Sequence, residues 1–309
     1  MKLKNKLRIT GCLATMLLVL ASCSDWNKTE SVDLQWHYWW DENPEVWAKY
    51  TAALRAYKQN GHFLTYAVFG NAEEKPGSEK CFMRNLPDSL DIVSLTNAEN
   101  FSAHDAEDMT VMRDKGTKVL YQIDFAARRD ELDDAAKLGA CIDNAITSVK
   151  DNGLDGWSFT GTPKLGDEAT VQLATLLVSR LSSAKQDGQL IVFEGDPMFI
   201  PAAEMEKIDL FVLNTVEMEN VQDVRLAVIA ATSRYNIPSE KILLAAKVNG
   251  ILADEDKVEH PALEEAVARV MEFGPLCGIA AYNIDTDYWH SGSNYLALRT
   301  AIQTLNPSK

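Results

Sequence analysis

Two periods of apolar residues alternate along the chain from residue 36 onward. Val46, Trp47, Tyr50, Leu54 and Tyr57 recur at helical spacing and predict a helix over 43–60. Short runs rich in β-branched and aromatic residues follow at 63–69, 90–95, 118–125, 154–161, 189–194, 209–214, 241–248 and 277–284, and read as strands. Between them, helical spacing predicts helices over 105–115, 131–150, 167–186, 220–235 and 260–272, with a short one from Pro201 and a last one over 293–304. Lys115-Gly116, Asn152-Gly153, Asp187-Gly188 and Gly274-Pro275 supply the helix stops. Eight such rounds with near-continuous apolar strands predict a parallel sheet covered by helices, and eight strands close a barrel. The expected fold class is α/β, a single-domain (β/α)8 TIM barrel over 36–309. A doubly wound open sheet is the alternative. That fold usually carries a Gly-rich phosphate loop after its first strand, and Gly70-Asn71-Ala72-Glu73 is not one.

The first residues follow a different logic. Lys2, Lys4, Lys6 and Arg8 precede the apolar run Gly11–Leu20, then Leu20-Ala21-Ser22-Cys23. Basic, apolar, small and cysteine in that order is a lipoprotein signal peptide, too short to span a membrane. Residues 1–22 are expected to be removed, Cys23 to carry lipid, and 23–35, polar and without apolar period, to form a tether. The acidic start from Ser24-Asp25 resembles surface-export signals of glycan-foraging gram-negative bacteria, so the expected location is the outer membrane, exposed at the cell surface.

Net charge is −15, and losing four basic residues and no acid with the signal takes it to about −19. Nucleic acid is therefore excluded as a partner, since a phosphate backbone needs a basic face, and the membrane is reached only through the lipid. Cys81, Cys141 and Cys277, scattered and without CxxC spacing, form neither a disulfide framework nor a zinc site; they read as buried small apolar residues, and no metal or cofactor is expected.

In a barrel the chemistry sits at the C-terminal strand ends. There lie Asn71, Asn97, Asp124, Ser158, Thr160, Thr162, Glu194, Asp196, Asn214, Glu217, Lys247, Asn249, Asn283 and Asp285. Most strand ends are polar merely because the chain is leaving the core. The fourth strand is the informative one. Asp155-Gly156-Trp157-Ser158-Phe159-Thr160-Gly161-Thr162 resembles the Asp-Gly-x-Asp-x-Asp-x-Glu signature of glycoside hydrolase family 18, the chitinases and endo-β-N-acetylglucosaminidases. The resemblance implies that the final Glu position protonates the glycosidic oxygen and that the preceding Asp orients the substrate's N-acetyl group. Here Ser158, Thr160 and Thr162 stand at the three acidic positions, sharing one face by alternation, while Trp157 and Phe159 face the helices. A threonine hydroxyl cannot protonate a leaving alkoxide near neutral pH.

The likeness extends over Tyr50–Lys58, Leu86–Leu95 and Lys115–Leu120, which resemble the lipoprotein branch of that family. In the eighth strand Gly278-Ile279-Ala280-Ala281-Tyr282-Asn283 matches its Gly-x-x-x-Trp-Asp, with Tyr282 at the floor tryptophan. The sixth strand departs: Asn214-Thr215-Val216-Glu217 lacks the tyrosine that contacts the N-acetyl group. The resemblance thus implies a non-catalytic surface glycan-binding protein for an N-acetylglucosamine-containing oligosaccharide, partnered with an outer-membrane glycan importer. Trp289, Tyr282, Asn214 and Asn283 around Thr160 and Thr162 are the expected contacts. One alternative is an active hydrolase whose acid has moved to Glu194 or Glu217. Another is a structural or protein-binding barrel. The ring cluster Trp36-His37-Tyr38-Trp39-Trp40 reads either as a plug packing the first helix or as a sugar-stacking platform.

Overall fold

The computed structural model describes residues 38–307; Cys23, the tether, and Trp36 and His37 of the aromatic run lie outside the described residues. The chain divides at residue 47/48 into two units. In the first, Tyr38 stacks on Trp40 with centroids 4.5 Å apart, and Trp40 tilts against Trp47 at 5.4 Å. The helical turn Trp39–Glu42 leads into helix α1, Pro44–Gln59, whose first residue is a proline, tolerated where no N–H is needed.

Eight parallel strands close the barrel: β1 (Leu64–Phe69), β2 (Ile92–Leu95), β3 (Lys118–Ile123), β4 (Gly156–Gly161), β5 (Leu190–Gly195), β6 (Leu210–Leu213), β7 (Ile242–Lys247) and, after a small hairpin of β8 (Ile251–Ala253) and β9 (Glu259–Pro261), β10 (Gly278–Tyr282). Each barrel strand pairs with its neighbour in the sequence, and β10 closes on β1 with Leu64 opposite Gly278. Helices α2 (Ala103–Lys115), α3 (Ala135–Asn152), α4 (Glu168–Ala184), α5 (Val221–Ile229), α6 (Ala262–Glu272) and α7 (Leu296–Leu305) cover the outside.

Local chemistry sets these bounds. Ser102 and Asp105 form a capping box at the start of α2, and Asp134, Asp167 and Asn220 cap α3, α4 and α5 with their side-chain oxygens. Gly116 and Gly153 stop α2 and α3 in the left-handed conformation, at φ of 70° and 64°. Alternation then divides the core. Trp157, Phe159, Phe193 and Phe211 pack outward under the helices, while Tyr66, Ile92, Leu120, Val192, Val212 and Leu243 fill the barrel interior.

The barrel departs from the sequence pattern in four places. The short helix expected from Pro201 is a 3-10 helix, Ala202–Lys207, preceded by the 3-10 turn Pro197–Phe199; the crossover after β1, where no helix was expected, likewise carries only 3-10 turns, Glu79–Cys81 and Met83–Asn85. Both segments are broken by prolines and hold no sustained helical period. The helix expected over 131–150 begins only at its Asp134 cap, and the one over 220–235 finishes in a π turn, Ala230–Arg234. The β8–β9 hairpin had no sequence signal, because its three-residue strands are too short to show a period. Cys81, Cys141 and Cys277 are free thiols and only partly buried, where full burial was expected. No helix among the described residues is long and apolar enough to cross a membrane.

Candidate functional site

Strand β4 distributes its three hydroxyls over three depths. Ser158 is wholly buried, its Oγ 2.6 Å from Ser94 Oγ on β2. Thr160, at the mouth, donates to Asp124 Oδ1 at 2.6 Å and accepts from the Ala126 N–H at 2.9 Å. Asp124 also receives the Ala127 N–H at 3.1 Å. Thr162 lies one residue past the end of β4 and is exposed. The shared face expected from alternation holds for Ser158 and Thr160; Thr162 has left the strand.

The carboxylate of the barrel floor comes from the neighbouring strand. Glu194 on β5 sits in register beside Thr160 and is only 5% exposed. Four groups from four other strands donate to it. Tyr66 Oη (2.7 Å), Ser94 Oγ (3.1 Å) and Gln122 Nε2 (3.0 Å) reach Oε1, and Tyr282 Oη reaches Oε2 at 2.7 Å. Burial, and then the Glu194 charge, push both tyrosine phenols well above their usual range, so they stay protonated as donors. Burying a carboxylate costs several kcal/mol unless such charge-assisted bonds offset it, which is why the set is complete.

A cavity of about 400 Å³ opens above this floor. Its lining brings together Thr160, Thr162, Glu194, Asn214, Glu217, Tyr282 and Asn283, all expected from the sequence, with Asp124 and Lys247. Asn283 holds a left-handed φ of 58°, a conformation Asn tolerates better than most residues. Glu217 is exposed and pairs with Lys247 Nζ at 2.7 Å. Trp289, also expected among the contacts, does not line this cavity; it is 71% exposed and packs edge-on against Tyr288 at 4.7 Å. Tyr288 in turn packs edge-on against Tyr295 at 5.3 Å. Asn71, Asn97 and Asp196 also serve structure. Asn71 bonds Asp105 (2.8 Å) and receives the Asn97 N–H (3.1 Å), and Asp196 caps a 3-10 turn through the Met198 N–H (2.9 Å).

Tyr66, Ser94 and Gln122 were not picked out from the sequence. Their signal was a polar group at inward positions of otherwise apolar strands, as in Leu-Asp-Ile-Val-Ser-Leu over 90–95. Among the described residues no cluster of three or more His, Cys, Asp or Glu could hold a metal ion.

Fold and site define a class: a (β/α)8 barrel whose strand ends line a cavity with polar side chains above one buried carboxylate. Residues 27–156 match a family model described as glycoside hydrolase family 18, BT1044-like, so that part of the chain is glycoside hydrolase family 18-like. The match ends at Gly156, two residues before the first strand-four hydroxyl. Among solved structures the barrel is similar to a variant of BT1044 (18% identity, 85% of this chain and 93% of that one, TM-score 0.68). It is similar to the endo-beta-N-acetylglucosaminidase from Cordyceps militaris (18%, 83% and 95%, TM-score 0.63). A chitinase from Bacteroides thetaiotaomicron also resembles it (10%, 80% and 97%, TM-score 0.59). At these identities the likeness speaks for the fold. No curated protein sequence matches the chain.

Proposed function

We propose that this protein binds an N-acetylglucosamine-containing glycan at the barrel mouth without cleaving it. The observation that carries this reading is the loss of the acid together with the saturation of its nearest substitute. The strand-four positions are hydroxyls, and Glu194 beside them accepts four hydrogen bonds from below and around it. A general acid must bring a transferable proton within about 3 Å of the leaving oxygen. Thr160 has its proton committed to Asp124, and Glu217 is engaged with Lys247 at the exposed rim. What the cavity does offer is amides, hydroxyls and one ring, the groups that contact neutral sugars. The Cordyceps militaris neighbour is an endo-beta-N-acetylglucosaminidase, and another structural neighbour, YKL-39, was solved with chitooligosaccharides, which supports that ligand class.

The test pairs turnover with binding. A chromogenic N-acetylglucosaminide and an N-glycoprotein should both be left intact, while calorimetric titration with a glycan should show binding. Asn214→Ala should weaken that binding by about 1 kcal/mol, roughly 5-fold. Trp289→Ala should leave it unchanged, because the ring stands outside the cavity. Appreciable turnover by the unmodified protein would overturn the reading and make Glu194 the first residue to replace.

The same reading places the protein on the outer membrane, at the cell surface, held by lipid on Cys23 and working beside a glycan importer. Its support is the order of charge, apolar run and cysteine at the start of the sequence. Cys23→Ala should move the protein from the membrane to the soluble fraction on cell fractionation; unchanged partition sinks the anchor.

A further inference from the structure

A second cavity, larger than the mouth at about 630 Å³, opens directly beside it. The two share Leu213, Asn214 and Glu217, so the cavities adjoin, the outer one lying against α5. Its room comes from small side chains. Ala227, Ala230 and Ala231 line it where α5 runs into the π turn Ala230–Arg234, a widened turn frequent at functional sites. Leu226, 62% exposed, and Tyr235 supply apolar surface beside those alanines.

The rim is of one sign. Asp196, Glu217, Glu219 and Asp223 line the cavity, and no lysine, arginine or histidine does. Lys247, at the neighbouring mouth, is taken by Glu217, and Arg234 lies over the ring of Tyr235. Asp196 is held by its cap to the Met198 N–H and Asp223 by the Asn220 amide at 2.8 Å, so two of the four charges are fixed in place.

We propose that this cavity is the second half of the glycan site, taking further residues of an uncharged oligosaccharide and rejecting arms that carry sialic acid, uronate or sulfate. The inference rests on the reading of the mouth as a glycan site. Its volume lies in the range of about 300–1,000 Å³ that small-molecule sites occupy. Pyranose C–H faces fit Leu226 and Tyr235, and sugar hydroxyls donate to the rim carboxylates. An anionic sugar placed there would sit within the screening length, about 8 Å at physiological salt, of several carboxylates.

Three probes separate the two halves in calorimetric titration: N,N′-diacetylchitobiose for the mouth, an asialo biantennary N-glycan for both cavities, and the sialylated form of that glycan. The asialo glycan should bind about 10-fold more tightly than chitobiose. Sialylation should cost about 10-fold at low salt, and the difference should shrink as salt rises. Ala227→Phe, which fills the outer cavity, should erase the gain from chain length while chitobiose binding stays as it was, with thermal melting to verify folding. Glu219→Lys, an exposed change that leaves the core untouched, should narrow the penalty for sialic acid. If chitobiose binds but the longer glycan binds no better, or sialylation costs nothing at low salt, the outer site is wrong and the mouth reading stands. If no probe binds, both fall together.

Discussion

Glu194→Ala should destabilise the barrel by about 3–5 kcal/mol, the usual cost of removing one partner from a buried charged network. The variant leaves Tyr66, Ser94, Gln122 and Tyr282 facing a void with their donors unpaired, and each unsatisfied buried group costs about 1–3 kcal/mol before relaxation. Relaxation and entering water recover part of that sum. At roughly 2–4 °C per kcal/mol for a chain of this size, the melting temperature should fall by roughly 6–20 °C. Glu194→Gln keeps the volume and one acceptor oxygen, so its fall should be smaller. Thermal unfolding followed by circular dichroism reads both. A melting temperature for Glu194→Ala within about 2 °C of the unmodified protein would mean that the donors find other partners and that the floor is not organised around this carboxylate.

Gly156→Ala is expected to be as severe for a different reason. A Cβ at Gly156 would lie 2.1 Å from the Leu190 carbonyl oxygen and 2.6 Å from its nitrogen, and φ there is +129°. These are backbone atoms of the paired strand β5, with Gly156 opposite Leu190, so relief requires the two strands to separate. A loss of about 3 kcal/mol or more is expected, at the upper end for single substitutions. Gly61→Ala is the control, since a Cβ there meets nothing within 4 Å. Denaturant midpoints compare the two; equal midpoints would contradict the close approach of β4 and β5.

Gly156 also shows what the strand-four resemblance measures. Asp155 Oδ2 receives the Val119 N–H at 2.9 Å from the preceding strand, and Gly156 lets β5 approach. The Asp-Gly pair that matches the family signature is thus part of barrel closure. The positions that would carry catalysis begin only at Ser158, and there the sequence differs. The matching Asp-Gly pair and the hydroxyls that follow it are separate facts about one strand, and both bear on the proposal of binding without cleavage.

By itself the sequence determined the strand and helix sequence, the closed barrel, and the two faces of β4. Period-two and period-3.6 patterns are local and survive reading one residue at a time, and caps such as Asp134 and stops such as Gly153 mark their own ends. It also determined that Thr160, Asn214, Tyr282 and Asn283 would meet at the mouth, because every strand of a parallel barrel delivers its C-terminal residue to the same rim. Only the tertiary structure decided which inward groups meet at one depth. Glu194 meets Tyr66, Ser94, Gln122 and Tyr282 across separations of 72 to 128 residues, and that depends on strand stagger, which no local pattern encodes. The place of Trp289 was likewise decided by packing. It packs against Tyr288, which packs against Tyr295, and a ring that the sequence places after the eighth strand stands outside the cavity instead of over it.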